Sequence, residues 1–176
     1  MLRIRQAYVN LDWGKSAVLV GITWHPLFGA VMPDVLNLST GAPFQPFNRS
    51  PQIRYQYKAN SRVQLTASVL WQLQYLSSGP KGMSEDYIKN SCIPEMFVGA
   101  DFTPADGWLM GLGAHMISLK PRTSTEWKEQ TFKVNERMTA FSYEAHLKYS
   151  GRNYTFAAKT LMASALDHFF LSWKGF

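Results

Sequence analysis

The sequence predicts an all-β protein, an antiparallel up-and-down transmembrane β-barrel of which about eight strands are visible. Three observations predict this fold class. Apolar and polar residues alternate over unusually long stretches, short and long connections alternate along the chain, and aromatic residues gather near the ends of the predicted strands. These features are typical of an outer-membrane barrel, in which tight turns and long loops occupy opposite rims.

The clearest alternation covers residues 62–75, RVQLTASVLWQLQY. Leu65 and Val69 represent its apolar face, and Thr66 and Ser68 represent its polar face. A period of two identifies a β-strand. Soluble strands usually contain about 5–6 residues, whereas a tilted strand that crosses a bilayer needs roughly 9–11. The length of this stretch therefore favours a membrane strand.

The same alternation recurs along the whole chain. It predicts strands at residues 2–12, 16–25, 52–58, 62–75, 93–102, 108–118, 137–149 and 154–166. The last strand is noisy, and its run AAKTLMASAL would also suit a helix on propensity. Gly111 and Gly113 lie inside one strand, where they favour a close approach of backbone or inward space for a loop.

The connections between these strands follow a strict order. Short links at residues 13–15, 59–61, 103–107 and 150–153 alternate with long links at residues 26–50, 77–92 and 119–136. In an up-and-down sheet, all short links then lie on one rim and all long links on the other. Aromatic residues near the strand ends, such as Trp13, Trp108 and Tyr154, suit the headgroup region of a membrane.

Composition narrows the class of protein. The 176 residues are 46% hydrophobic and 14% aromatic, which excludes a disordered chain. No apolar run reaches the length of a membrane-spanning helix. The net charge of +6 is scattered along the sequence, so we predict no nucleic-acid partner. Cys92 is the single cysteine, which rules out an intrachain disulfide.

Motifs of catalysis and cofactor binding do not occur in the sequence. The four histidines, His25, His115, His146 and His168, lie far apart and lack metal-binding spacing. Glu144, His146 and Lys148 share one strand face, but such a row equally well lines a solvated wall. We therefore predict no enzymatic activity, no catalytic residue, no metal and no cofactor.

Residues 3–58 carry a resemblance to a known family. The run RIRQAYVNLDWGKSAVLVGITWHPLF, a Pro-rich stretch and then NRSPQIRYQYK resemble DcaP-like porins of bacterial outer membranes. Residues 61–176 share only the strand rhythm and the segment PEMFVGADF. The resemblance implies a homotrimer in the Gram-negative outer membrane, surrounded by lipid and lipopolysaccharide. It also implies passive diffusion of small anionic solutes such as dicarboxylates.

The chain differs from that family in two respects. Its start, MLRIRQAYVN, lacks the apolar core of a secretory signal peptide. The first and eighth predicted strands also have their free ends on the long-loop rim, whereas the family keeps both termini on the other rim. We therefore expect residues 1–176 to be a single internal segment of a larger barrel, of about 16 strands by the resemblance.

A cationic pore lining follows if the polar faces enclose a lumen. Arg3, Arg5, Arg54, Lys58 and Arg62 are the predicted anion-attracting residues, because a low-dielectric wall focuses their field. The alternative for each is a position on the rim or in an ion pair.

The long loop at residues 26–50 is apolar and Pro-rich, so we expect it to fold toward the lumen. The resemblance to porins implies that Asp34 and Arg49 face a constriction formed by this loop. The alternative is an external loop that covers a subunit contact.

A soluble protein is the alternative for the whole chain. Eight strands are enough to close a small barrel, and a soluble barrel or sandwich would bind a small ligand inside. That alternative requires the apolar stripes to be buried and the polar faces to be exposed, which is the reverse of the membrane prediction.

Overall fold

The computed structural model describes residues 5–29, 31, 48–73, 76–128 and 130–164. In chain order the elements are β1 (Ala7–Asp12), β2 (Ser16–Trp24), a 3-10 turn (Pro26–Phe28), β3 (Arg49–Lys58), β4 (Val63–Leu70), β5 (Ser77–Gly79), β6 (Gly82–Ser84), α1 (Asp86–Ser91), β7 (Glu95–Phe102), β8 (Trp108–Leu119), β9 (Ser124–Trp127), β10 (Gln130–Lys133), β11 (Met138–Ser150) and β12 (Thr155–Ala163). Among the described residues, no helix is both long enough and apolar enough to cross a membrane.

One antiparallel sheet of eight strands dominates the fold, which confirms the predicted all-β class. Its order is β1-β2-β3-β4-β7-β8-β11-β12, so each strand pairs with its neighbour in the chain. Short links and long links consequently lie on opposite rims, as the sequence predicts. Within the described ranges, β1 and β12 are the two edges of the sheet and no register joins them to each other.

The short turns are stabilised by polar side chains that bond to the backbone nearby. The Asp12 carboxylate accepts a hydrogen bond from the Gly14 amide at 2.7 Å. The Asn60 side-chain oxygen accepts from the amides of Arg62 and Val63 at 2.8 Å each. Such local bonds favour turns over a continued strand, which explains why the chain reverses there.

The strand predicted at residues 62–75 ends earlier, at Leu70. Its partner β7 begins only at Glu95, directly after Pro94, which has no amide hydrogen to donate. On the other side, the β3 register ends at the pair Gln52–Leu70, followed by a single bond from Trp71 N to Pro51 O. The alternation in the sequence therefore continues beyond the point where β4 pairs with its two neighbours.

Two of the long links contain small elements of their own. The link between β4 and β7 forms the hairpin β5–β6 and the helix α1, and the link between β8 and β11 forms the hairpin β9–β10. Tyr87 and Ile88 of α1 are buried against Ile117, Leu119 and Ala140 of the sheet. This packing closes the long-loop end of β8 and β11 with an apolar cluster.

The two faces of the sheet differ in chemistry and in burial. One register row on the apolar face consists of Val9, Val20, Ile53, Val69, Met96, Met116 and Phe141. Most of these side chains are well exposed, with Val69 at 43% and Phe141 at 50%. The neighbouring row on the other face contains Ser68, Phe97, His115 and Ser142, all at most 5% exposed.

The sheet curls around the turn that follows β2. Lys159 on β12 donates hydrogen bonds to the carbonyl oxygens of Leu27 and Phe28, although five strands separate β2 from β12 in the sheet order. Leu27 is fully buried in a cluster with Leu70 and Phe97, against which Leu161 packs. The polar face is therefore the concave side, and the 3-10 turn lies across it.

Glycines on β8 make room for the groups on the concave side. A Cβ atom at Gly113 would lie 2.8 Å from Glu144 Cγ and from the Phe97 ring. A Cβ at Gly111 would lie 2.3 Å from the His146 ring. The space at both glycines is therefore taken by side chains of the neighbouring strands.

Candidate functional site

The candidate site is the concave side of the sheet. A cavity of about 440 Å³ lies between the 3-10 turn and the polar faces of the strands, and Arg54, Thr66, Asp101 and Glu144 are among its lining residues. Alternation along each strand puts these side chains on the same face, as a lumen requires. Pro26, Phe28 and Gly29 of the long loop also line this cavity.

Arg54 is the predicted lining residue that reaches the cavity wall. Its Nη2 donates to the Trp24 carbonyl oxygen at 2.6 Å and to Gln52 Oε1 at 2.8 Å, and its Nε donates to the same Gln52 oxygen at 3.1 Å. These acceptors are neutral. Among the described residues no carboxylate forms an ion pair with Arg54, so its positive charge is not cancelled locally.

The other predicted cations occupy more peripheral positions. Lys58 and Arg62 have the alternation of the concave face but are exposed beside the short turn between β3 and β4. Arg5 is exposed just before β1. Arg3 lies outside the described residues.

Of the two predicted constriction residues, Arg49 lies within the described structure. The Arg49 guanidinium carbon lies 3.8 Å from the centre of the Trp24 ring, and that ring stacks on Phe28 with centroids 4.6 Å apart. Arg49 thus makes a cation–π contact at the base of the turn. Asp34 lies outside the described residues.

A first group of buried charged side chains, here called the histidine–glutamate cluster, comprises His25, Glu95 and His115. Glu95 Oε2 lies 3.4 Å from His25 Nε2 and 3.3 Å from His115 Nε2. The side chains of all three residues are at most 1% exposed. Gln72 donates to Glu95 Oε1 at 2.7 Å and to Ser77 Oγ at 2.8 Å, which orients the carboxylate.

A second group, the glutamate–lysine cluster, comprises Asp101, Glu144, His146 and Lys159. Lys159 Nζ lies 3.2 Å from Glu144 Oε2, and His146 Nε2 lies 3.0 Å from Asp101 Oδ1. Glu144 and Lys159 are both nearly buried. Each acidic residue therefore has a cationic or ionisable partner, as burial of charge requires.

Both clusters hold the 3-10 turn in place. His25 Nδ1 accepts a hydrogen bond from the Leu27 amide at 3.1 Å at the start of the turn. Lys159 donates to Phe28 O at 2.9 Å at its end. The turn is consequently fixed by polar contacts at both ends and by Leu27 packing between them.

Sequence reasoning did not find these clusters. Their members come from the residue after β2 and from β7, β8, β11 and β12, and no sequence spacing joins them. A usable signal is that His115, Glu144 and His146 are ionisable residues at the polar positions of predicted strands.

Comparison of the chain with protein-family models, with curated proteins and with solved structures finds no match. The resemblance of residues 3–58 to DcaP-like porins therefore stays a prediction.

Proposed function

We propose that the protein forms part of the wall of an outer-membrane pore in a Gram-negative bacterium. Small hydrophilic solutes diffuse passively through this pore. The observation that carries the proposal is the distribution of the two faces: the apolar rows are exposed, and the polar rows enclose the cavity. Exposed apolar rows of this extent suit lipid, while a polar lumen suits water and solutes.

Aromatic residues at the short-turn rim support the same proposal. Trp108 and Tyr149 pack with ring centroids 4.7 Å apart, and Tyr149 and Tyr154 with centroids 5.6 Å apart. Trp13, on the same rim, is 64% exposed. Amphipathic rings at one level of a barrel are typical of the membrane–water interface.

Membrane insertion would require both edges of the sheet to be paired, because unpaired backbone groups are costly in lipid. We infer that β1 and β12 pair with further strands of a larger barrel, about 16 strands in all by the resemblance and within the range of bacterial barrels. Trimer formation is part of the same proposal.

Selectivity for small anions, such as dicarboxylates, is part of the same proposal and rests on Arg54. Lys159 pairs with Glu144, whereas Glu95 and Asp101 lie beside histidines. Arg54 has neutral partners only, within the described structure, and so presents a positive charge to the cavity. A fixed cation in a narrow, low-dielectric lumen favours anions.

The test is the reversal potential across a planar bilayer under a salt gradient. We expect stepwise conductance with anion selectivity, and we expect Arg54→Gln to reduce that selectivity. Arg122→Gln is the matched control, because Arg122 is exposed in the link between β8 and β9. A protein that inserts without conducting, or selectivity unchanged in Arg54→Gln, would contradict the proposal.

The soluble ligand-binding protein is the second candidate. It needs the apolar rows inside, and the exposure of Val69 and Phe141 does not favour it. A protein that stays monomeric in plain buffer without detergent would support this candidate over the pore.

A further inference from the structure

The histidine–glutamate cluster joins three possible metal ligands from three separate strands or strand ends. His25 follows β2, Glu95 begins β7, and His115 lies on β8. One ligand atom from each lies within 4.8 Å of the others, and all three residues are buried. The pattern of His, Glu and His from strands remote in the chain leaves no linear sequence motif.

The distances within the cluster are informative. Charge-assisted hydrogen bonds between nitrogen and carboxylate oxygen are usually about 2.7–2.9 Å long. The two Nε2–Oε2 distances are longer, at 3.3 and 3.4 Å. In a tetrahedral site with bonds of about 2.0–2.1 Å, neighbouring ligand atoms are about 3.3–3.4 Å apart. The distances from Glu95 Oε2 to the two histidine nitrogens therefore match the distance between neighbouring ligand atoms in a tetrahedral site.

We propose that His25, Glu95 and His115 bind one divalent metal ion of the zinc class. Two imidazoles and one carboxylate are ligands that suit Zn²⁺, and water completes the tetrahedron in sites with three protein ligands. His25 also lines the cavity, which provides a path for the ion and the water.

The surroundings of Glu95 match those of a metal ligand. Its second oxygen accepts a hydrogen bond from Gln72 Nε2, and Gln72 is held in turn by Ser77. Ligating carboxylates are commonly oriented by such outer hydrogen bonds.

Metal binding has a structural consequence for the 3-10 turn. The Leu27 amide donates to His25 Nδ1, so the proton of a neutral His25 ring resides on Nε2. Ligation through Nε2 moves that proton to Nδ1 and displaces the Leu27 amide. The metal therefore changes how the turn is held on the concave side.

The test uses the full-length protein in detergent, titrated with Zn²⁺ alone and separately with Co²⁺. We expect saturation at one equivalent, and we expect bound Co²⁺ to show the visible absorption of a tetrahedral site that Zn²⁺ bleaches. His115→Gln and Glu95→Gln should abolish this binding. Gln72→Ala should weaken it by about 10–100-fold, as loss of an outer hydrogen bond to a ligand typically does.

His146→Gln is the matched control, because His146 is also buried beside a carboxylate but belongs to the other cluster. It should bind Zn²⁺ like the unaltered protein. If the ligand variants fail to fold, the Co²⁺ spectrum of the unaltered protein decides. The absence of one-equivalent binding there would overturn the proposal, as would unchanged binding in folded Glu95→Gln. This inference does not depend on conductance, so the metal site and the pore can fail separately.

Discussion

At the scale of single residues, the concave side is arranged by the need to neutralise buried charge. Lys159 and Glu144 lie 3.2 Å apart with little solvent around them. Removal of one member of a buried pair is costly because the other charge then lacks compensation. Lys159 has the further role of donating to the carbonyl oxygens of the 3-10 turn. A single side chain thus links charge balance to the position of the turn.

Lys159→Met tests this role. We expect the free energy of unfolding to fall by about 3–5 kcal/mol, the cost of an unpaired buried charge. The measurement is denaturant unfolding in lipid vesicles. Adding Glu144→Gln to Lys159→Met should recover part of the loss, since no unpaired carboxylate then remains. Lys148→Met on β11 is the control. An equal effect of the two lysine substitutions would contradict the assigned role.

At the scale of elements, each long strand separates two environments. Val69 and Thr66 lie on the same strand, β4, three residues apart and on opposite faces. Val69 belongs to an exposed apolar row, and Thr66 lines the cavity. The same strand therefore contains a test position and its control.

Arginine substitution at these two positions should have unequal effects. In the proposed barrel, Val69→Arg places a charge in lipid and should lower the free energy of unfolding by about 2–4 kcal/mol near the bilayer midplane. Thr66→Arg places the charge in the proposed lumen, where we expect folding to be retained and anion selectivity to rise. Unfolding in vesicles of defined thickness measures the first effect, and the reversal potential measures the second. Greater damage from Thr66→Arg than from Val69→Arg would contradict the assignment of the two faces.

At the scale of the whole molecule, the curvature of the sheet brings remote strands together around one turn. Leu27 packs with Leu70 of β4 and Phe97 of β7, and Leu161 of β12 packs against that cluster. An apolar side chain at the centre of a polar concave side thus holds the turn in the cavity. Its loss should loosen the turn while the register of the sheet is retained.

Leu27→Ala should lower the free energy of unfolding by about 2–5 kcal/mol, because the side chain is fully buried and its packing is lost. We expect higher and noisier single-channel conductance, since a loosened turn obstructs the cavity less. Phe132→Ala is the control, because Phe132 is exposed on β10, outside the main sheet. Conductance identical to that of the unaltered protein would show that the turn does not limit passage.

The amino-acid sequence was sufficient for the strands, their antiparallel order and the two rims. Alternation and turn chemistry are local properties of the sequence. They can therefore be recognised without knowing which strands pair. The end of β4 at Leu70 could not be predicted, because it depends on pairing with β7, and Pro94, which precedes β7, lies far from Leu70 in the chain. The positions of Arg54 and Gly113 on the concave face followed from alternation alone.

The two buried clusters depended on curvature. His25, Glu95 and His115 meet because the end of β2 is carried against β7 and β8, and Lys159 reaches the turn because β12 curls back toward it. Their distances are set by the bending of a whole sheet, to which every strand contributes a little. A pattern with a period of two records which face a residue occupies, but it contains no information about how far that face bends.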